Sequence, residues 1–370
     1  MLSKYLGWSD SVGTFVTRMV CGLFLRNGIW LIKIAQASSC DKAKVTSDVR
    51  RLQRFLNDIH IAEHDFSLML YHMLQWHGKI TVILDRTNWK FGKSHINVFV
   101  ACLLYRLPDG TSFAVPIAWD VYAKAGTSHT RERIALMKRV FAIVGGKENI
   151  ECVLGDREFI GDAWVSFLAQ NKVPFILRMR SNMYVVHDGK LVQISTLVSS
   201  VTSQEQKSFV VTLQNLVVHL VATRSNEGEL VVVIASMDIT GNPLDAYRLR
   251  WLIELFFKSI KSKGFDLEKT HITKPDKIKK LFALIALATV CAVKMGAIKH
   301  SYIKKITIKK HGRRLNSLFT YGIDFINAIF RGESFQFDPN LLCDAVALMD
   351  GLFSDYFPQL EKPDYPLGIG

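Results

Sequence analysis

The segment from Tyr247 to Gly264, YRLRWLIELFFKSIKSKG, constrains this chain most, because its polar and apolar residues separate on a helix. Four polar side chains fall on one arc about 60° wide when the segment is placed on an α-helix. They are Tyr247, Arg250, Glu254 and Lys261. Five apolar residues occupy the opposite side: Leu249, Leu252, Ile253, Phe256 and Ile260. The pattern predicts a helix that packs on a core and presents one acid among phosphate-binding groups. The alternative is a surface helix with i, i+4 charge pairs.

Two short apolar runs that end on an aspartate predict strands upstream of this helix. TVILD ends at Asp85, and IECVLGD ends at Asp156. Such runs are typical of buried strands, and open α/β sheets place ligands beyond the carboxyl ends of their strands. Either aspartate alone is better explained as a turn residue or helix cap. Together with Glu254, however, they predict a site for two Mg²⁺ ions, since hard cations prefer oxygen ligands.

Three motifs, in this order, resemble the insertion-sequence-four family of bacterial transposases. They are DRTNW from Asp85, GDREF from Gly155, and Y-(2)-R-(3)-E-(6)-K from Tyr247. The similarity runs from about residue 46 to about residue 264. It implies a D-D-E enzyme with a ribonuclease-H-like catalytic core. It also implies a DNA transposase that binds insertion-sequence ends, cleaves them, and joins their 3′-OH ends to target DNA.

The resemblance also implies roles for individual residues. The catalytic, metal-binding acids are Asp85, Asp156 and Glu254, which hold two Mg²⁺ ions, with Mn²⁺ as a substitute. The residues that hold the end DNA are Tyr247, Arg250 and Lys261. Three residues after the first aspartate are expected to contact DNA or to support the site: Arg86, Thr87 and Asn88.

The chain is predicted to be α/β, with its core divided by an insertion. Residues 1–75 contain three short helical patterns, at 15–29, 30–37 and 47–58, and form an N-terminal DNA-binding domain. Residues 76–182 and 241–300 form the two parts of the ribonuclease-H-like core. The first part is predicted to contain three antiparallel strands, a helix, a strand, a helix and a strand, which is the order of that fold. Residues 183–240 form an all-β insertion, whose β-rich segments include 209–220. Residues 301–370 form a C-terminal helical region suited to dimerisation.

An arginine-rich helix is predicted near the end of the N-terminal region, with Thr46 or Ser47 as its N-cap. Its arginines are Arg50, Arg51 and Arg54. They suit contact with DNA phosphates or the major groove, and a solvated basic face is an equal alternative. The resembled family uses its N-terminal segment to recognise transposon ends, which favours the DNA-binding interpretation.

The charge of the chain favours a polyanionic partner. Lys and Arg number 47 against 33 Asp and Glu, a net charge of +14. Each phosphate that a protein neutralises releases counterions, so double-stranded DNA, as terminal inverted repeats and as target, is the expected partner. The densest basic segment is KKITIKKHGRR, Lys304–Arg314. The most apolar run, Leu281–Val293, is too short at about 13 residues to span a bilayer, which predicts a buried helix and no membrane association.

The six cysteines are scattered without a C-x-x-C pair, which predicts reduced thiols. With no signal-like N-terminus, the expected location is the bacterial cytoplasm, in association with the nucleoid. Because like-charged subunits repel, we expect a monomer in solution and a homodimer on two DNA ends, joined through Leu315–Phe357.

Two other functions compete with transposition. A catalytically idle descendant that only binds DNA is disfavoured, because both aspartates and the whole four-residue signature are present. A stand-alone nuclease of ribonuclease-H type is disfavoured, because the β insertion, the helical N-terminus and the basic C-terminal region would be surplus.

Overall fold

One ten-stranded sheet runs through the protein, and the helices pack along it. The computed structural model describes residues 2–26, 34, 45–203, 205–225 and 227–331. The strands are β1 (Ile80–Phe91), β2 (Ser94–Arg106), β3 (Ser112–Tyr122), β4 (Ile150–Gly155), β5 (Phe175–Arg178), β6 (Tyr184–His187), β7 (Lys190–Gln193), β8 (Gln206–Leu213), β9 (Leu216–Arg224) and β10 (Leu230–Ser236). The described helices are α1 (Leu2–Leu6), α2 (Asp10–Arg26), α3 (Val45–Asp58), α4 (Glu63–Leu74), α5 (Thr130–Ile143), α6 (Asp162–Gln170), α7 (Ile194–Leu197), α8 (Pro243–Arg248), α9 (Trp251–Lys258), α10 (Pro275–Ile298) and α11 (Leu318–Phe330).

The first five strands follow the order that the sequence predicted. β1, β2 and β3 form an antiparallel meander, and β4 and β5 then add in parallel beside β1. The helices α5 and α6 precede β4 and β5, as βαβ connections require. The sheet order is β3-β2-β1-β4-β5-β10-β9-β8-β6-β7. The protein is therefore mixed α/β, with β1 inside the sheet and paired on both sides.

The strands of residues 183–240 continue this same sheet. β10 pairs antiparallel with β5, with Ile234 opposite Leu177. Without β10, the edge of the short, buried β5 would present unpaired backbone groups. The segment predicted to be all β also contains the one-turn helix α7. The domain boundaries stay predictions, but the insertion and the first part of the core share one sheet.

The β-rich segment 209–220 is two strands and not one. β8 and β9 form a hairpin, with Leu213 opposite Leu216. The two residues between them, Gln214 and Asn215, have φ of 51° and 65°. A two-residue turn with both φ positive matches the twist of paired strands. Neither turn residue is a glycine, so the sequence lacks the usual glycine signal for this turn.

The apolar run 281–293 belongs to a longer helix, α10, which has 24 residues. In the described part of the chain, the segment Pro275–Ile303 is long and apolar enough to cross a membrane, but 94% of its most apolar window is buried inside the protein. α10 packs on α11, and Gly296 and Gly322 leave the room for this contact, since a Cβ at either would meet the backbone of the other helix. The predicted buried helix is thus the central core helix of the fold.

The N-terminal helices join the same core. Trp8 packs against Phe55 and Phe66, and Phe66 contacts Trp119 on β3. The third predicted helical segment is α3, and α4 follows it. The predicted segment 30–37 lies outside the described residues except for Ile34, as do residues 332–370.

Candidate active site

Asp85 and Asp156 lie side by side where two parallel strands separate. The ladder between β1 and β4 ends with Leu84 opposite Gly155, and each aspartate is the next residue of its chain. Gly155 is needed at this close approach, because a Cβ there would lie 2.9 Å from Leu177 Cδ2 and 3.0 Å from Phe159 Cβ. The strand before Asp156 ends as predicted, whereas β1 continues past Asp85 to Phe91, so Asp85 lies within its strand and not at its end. The two carboxylates are neighbours because the β1–β4 ladder stops directly before them.

Arg250 connects the third acid to this edge. Its Nη1 donates to Asp85 Oδ2 at 3.1 Å, and its Nη2 donates to Glu254 Oε1. The Arg250 side chain is 11% exposed, whereas that of Glu254 is 45% exposed. The guanidinium therefore lies between a carboxylate of the sheet and a carboxylate of α9.

Tyr247 connects the same helical segment to the second aspartate. Its hydroxyl donates to Asp156 Oδ1 at 3.3 Å, and the residue is 8% exposed. The Arg250 guanidinium carbon lies 5.8 Å from the Tyr247 ring centroid. Burial raises the pKa of Tyr247 well above its usual range, so the phenol stays protonated and a donor. All three acids are thus held by two residues of the four-residue signature, Tyr247 and Arg250.

The signature segment is not the single regular helix that its periodicity predicted. Pro243 opens α8, and the Asn242 side chain caps it by accepting from the Leu244 N–H at 2.9 Å. Between α8 and α9 the backbone makes i to i+3 bonds, such as Ile253 N–H to Arg250 O at 3.1 Å.

After α9, residues 259–263 form a π-helical turn. These changes of winding rotate the side chains away from a constant 100° step. Tyr247 is therefore buried, although the sequence placed it on the exposed arc with Glu254 and Lys261.

Burial dominates the electrostatics of Asp85. It raises the pKa of Asp85 to about 6, against the lowering effects of the Arg86 N–H and of Arg250. The Arg86 N–H donates to Asp85 Oδ1 at 2.7 Å. The nearby carboxylates of Glu158 and Asp156 raise the pKa of Asp85 further. The raised pKa of Asp85 thus reflects burial first and the neighbouring carboxylates second.

The carboxylate oxygens of Asp85, Asp156 and Glu254 are the type of ligand that binds a divalent cation. Carboxylate oxygens are the ligands that Mg²⁺ prefers, and these three residues supply them from neighbouring elements. Among the described residues, no group of three or more His, Cys, Asp or Glu is already arranged to hold a metal ion. The guanidinium of Arg250 lies between two of the three acids.

The residues that follow Asp85 divide into internal and exposed ones. Arg86 is paired with Glu158, and Thr87 is buried. Asn88 is exposed, and its backbone oxygen accepts from Lys261 Nζ at 2.9 Å. Arg86 and Thr87 thus lie inside the fold and Asn88 lies on its surface, while the expected roles of the three residues, to contact DNA or to support the site, stay predictions.

Two acidic residues that pair with residues of the site were not predicted from the sequence. Glu158, in the GDREF motif, pairs with Arg86, and Glu268 pairs with Lys261 at 2.7 Å. The signal for Glu158 was present, since opposite charges follow the two aspartates at Arg86 and Glu158. Nothing local marks Glu268, which lies in a short 3₁₀ helix, Leu267–Thr270, after the signature segment.

The N-terminal arginines lie on α3. Arg50, Arg51 and Arg54 are exposed there, and Arg51 Nη1 lies 3.9 Å from Asp48 Oδ1. Their role in binding DNA stays a prediction.

The basic segment 304–314 forms a hairpin at the other end of the sheet. Ile308 pairs with Arg314, and Lys309, Lys310 and Arg313 are exposed. The hairpin is anchored on Asp109, at the β2–β3 turn, because Arg314 Nη2 and His300 Nε2 lie 3.5 Å and 2.8 Å from Asp109 Oδ2. At about 3.3 Å per residue along the strands, this turn lies roughly 25 Å from Asp85.

Comparison with known families identifies the class of this protein. A family model for the transposase DDE domain matches residues 76–291, more than half of the chain. The chain therefore belongs to the transposase DDE domain family. The predicted transposase class is confirmed, whereas the narrower insertion-sequence-four family stays a prediction.

A solved transposase structure shows a likeness of fold. A piggyBac transposase synaptic complex with hairpin DNA is similar over 92% of this chain and 76% of that chain, with a TM-score of 0.50 and 11% identity. Endonuclease V from Bacillus subtilis covers 53% of this chain and 84% of its own length, with a TM-score of 0.25 and 12% identity, and supports no conclusion. No curated protein matches the chain.

Proposed function

We propose that the protein binds the ends of an insertion sequence, cleaves them by metal-dependent hydrolysis, and joins their 3′-OH ends to target DNA. One observation carries the proposal: Asp85 and Asp156 follow the last pair of a parallel ladder, and Arg250 connects Glu254 to them. Three carboxylates from two strands and one helix, in a chain of the transposase DDE domain family, support a ribonuclease-H-like catalytic core.

Asp85, Asp156 and Glu254 would hold Mg²⁺, which supplies Lewis-acid charge and activates water when bound; Mn²⁺ would substitute. Arg250 occupies the space between Asp85 and Glu254 in the free protein. It must leave these carboxylates before they can share another cation. A freed guanidinium can hold a phosphate by two parallel hydrogen bonds. Arg250 therefore neutralises the acids in the free protein and holds a DNA phosphate in the complex.

A groove beside the signature segment offers a path for the DNA strand. Its basic residues are Arg178, Arg224, Arg248 and Arg250, and Trp251 lies beside them. The Trp251 side chain is well exposed and offers a ring on which a base can stack. On the other side of the acids, Lys261 and Asn88 meet at the continuation of β1. Together, these residues provide phosphate contacts on both sides of the carboxylates.

Two DNA ends must meet before they are joined, so the working species is a homodimer on DNA. Each protomer would supply one set of acids to one end. The basic hairpin, roughly 25 Å from Asp85 by strand geometry, would contact DNA several base pairs away from the scissile phosphate.

The proposal is tested by the DNA that flanks the gene. It should carry terminal inverted repeats, and a duplex with these repeats should be bound and cut by the full chain with Mg²⁺ and left uncut with EDTA. A shuffled duplex of the same length is the control. Equal cutting of both duplexes would indicate a nuclease without end recognition. Binding of the repeats without any cutting in Mg²⁺ or Mn²⁺ would indicate an idle DNA-binding protein.

A further inference from the structure

The Arg86 side chain is engaged entirely inside the protein. Its Nε donates to Glu158 Oε1 at 2.6 Å, and its Nη2 donates to Glu158 Oε2. Its Nη1 donates to the backbone oxygen of Gly126. The side chains of Arg86 and Glu158 are 10% and 18% exposed. All three guanidinium nitrogens are thus bonded within the fold, which leaves Arg86 poorly placed to meet a DNA phosphate.

This ion pair joins the two chains directly beyond the point where their backbone hydrogen bonds end. The β1–β4 ladder stops at Leu84 and Gly155. Arg86 is one residue past Asp85, and Glu158 is two residues past Asp156. The Arg86–Glu158 pair is therefore the next link between the strand that carries the first aspartate and the turn that carries the second.

The turn that carries Glu158 is itself firmly held. The Phe159 N–H donates to Asp156 O at 2.8 Å, and the Phe159 ring stacks on Phe99 with centroids 5.7 Å apart. Phe99 lies opposite Arg86 on β2. The pair thus connects two rigid parts, and a change in its length must change the positions of the aspartates.

The pair lies next to the acids, with Glu158 near Asp85 and the Arg86 side chain on the opposite face of β1. Successive side chains of a strand point to opposite faces, so Arg86 leaves β1 on the other side from Asp85. The hydrogen bond to Glu158 raises the pKa of Arg86 above its ordinary value, so the guanidinium stays charged.

We propose that the Arg86–Glu158 pair is a clamp that sets the separation of Asp85 and Asp156, and thereby the affinity of the site for a divalent cation. This proposal rests on the proposed metal-dependent function. Arg86 and Glu158 act as positioning residues, since they hold the metal-binding acids in place without touching the cation or DNA. Residues that orient metal ligands change metal affinity by about 10- to 100-fold when they are removed.

The test compares Arg86→Gln and Glu158→Gln in the full chain. Each should weaken Mn²⁺ binding, measured by calorimetry without DNA, by about 10- to 100-fold. Each should leave the affinity for end DNA, measured in EDTA without a divalent cation, and its salt dependence unchanged, because the signature residues that hold DNA are intact. The charge-reversed double variant Arg86→Glu with Glu158→Arg should recover part of the Mn²⁺ affinity.

Arg139→Gln is the matched control. Arg139 pairs with Asp120 at 2.9 Å and so joins α5 to the same sheet, away from the acids. Its loss should change Mn²⁺ affinity less than twofold. If the two single clamp variants do not fold, as judged by circular dichroism, Glu158→Asp replaces them. It keeps the charge and shortens the reach, and it should still weaken Mn²⁺ binding.

Three outcomes would overturn the clamp. Wild-type Mn²⁺ affinity in Arg86→Gln and Glu158→Gln would show that the pair does not set the separation of Asp85 and Asp156. Weaker DNA binding with a smaller salt slope in Arg86→Gln, but not in Glu158→Gln, would make Arg86 a DNA contact. If the wild-type chain itself neither binds Mn²⁺ nor cuts end DNA, the proposed function fails and the clamp fails with it.

Discussion

Arg250 donates to Asp85 across 3.1 Å, and this contact joins the signature helix to the strand that carries the first acid. The same guanidinium donates to Glu254. In the free protein, the Arg250 guanidinium therefore neutralises two of the three carboxylates that are proposed to bind metal. A divalent cation and Arg250 compete for these carboxylates, whereas a DNA phosphate and the carboxylates compete for Arg250. Metal binding and DNA binding should consequently favour each other.

Replacement of Arg250 should separate these two effects. Arg250→Gln removes the competing cation, so we expect tighter Mn²⁺ binding without DNA and weaker binding of end DNA. Calorimetry at pH 8 and a filter-binding assay measure the two affinities. Arg139→Gln is again the control, since Arg139 pairs with Asp120 at 2.9 Å, away from the acids and from the proposed DNA groove. Unchanged or weaker Mn²⁺ binding in Arg250→Gln would show that Arg250 supports the acids and does not compete for them.

Neutral substitutions of the three acids should abolish DNA cleavage and leave the binding of end DNA nearly intact. Asp85→Asn, Asp156→Asn and Glu254→Gln each remove one metal-binding charge with little change in volume. Cleavage of labelled end DNA in Mg²⁺ measures activity, and gel shifts measure binding. Asp188→Asn, at an exposed turn, is the matched control. Any of the three that retains a tenth of the wild-type rate is not an essential ligand.

The stability of the metal-free protein should depend on Asp85 between about pH 4 and pH 6. Its pKa is raised from 3.8 to about 6, so the folded state holds a proton that the unfolded state releases. Stability from this proton is fully present below the unfolded pKa and is lost as pH rises to about 6. A difference of roughly two pKa units corresponds to about 3 kcal/mol as an upper limit.

Asp85→Asn is neutral at every pH and avoids this loss. It should therefore resist urea better than the wild type at pH 8 in EDTA, with the advantage shrinking towards pH 4. An advantage that stays constant with pH, or none at pH 8, would mean that Asp85 is not the titrating group.

The basic hairpin should contribute to salt-dependent DNA binding and not to chemistry. Combined substitution of Lys304, Lys305, Lys309 and Lys310 by Gln should reduce the slope of log K against log salt by up to about 0.9 per lost phosphate contact. The cutting rate at saturating DNA should not change, because the hairpin lies at the far end of the sheet. The control replaces four exposed lysines elsewhere with Gln: Lys138, Lys147, Lys172 and Lys190. Equal slopes in the two variants would mean that net charge alone matters.

Assembly should follow DNA binding. The net charge of +14 opposes close contact between free subunits, and phosphates relieve that repulsion. Light scattering should show a monomer alone and a dimer when end DNA is added. The C-terminal segment Leu315–Phe357 is the proposed contact, so removal of the residues after Arg331 should leave DNA binding but prevent the dimer. A stable dimer at low micromolar concentration without DNA would contradict this order.

The sequence by itself determined the elements that depend on local pattern. Apolar runs before Asp85 and Asp156 produce buried strands, because a strand that is covered on both faces needs a continuous apolar run. The local pattern placed the end of β4 before Asp156, but it did not show that β1 continues past Asp85 to Phe91. The turn at Pro108–Gly110 and the helix start at Pro243 follow from backbone preferences of single residues. These features required no knowledge of distant contacts.

Only the tertiary structure decided which distant residues meet. Arg86 and Glu158 are 72 positions apart, and no periodicity relates them. Tyr247 is buried because the helix changes its winding near Arg250, and a fixed angle per residue cannot show such a change. The pairing of β10 with β5 and the anchoring of the basic hairpin on Asp109 likewise depend on how separate elements pack. Local sequence determines whether a side chain lies on the buried or the exposed face of its helix or strand. The packing of distant elements determines which residue that side chain contacts.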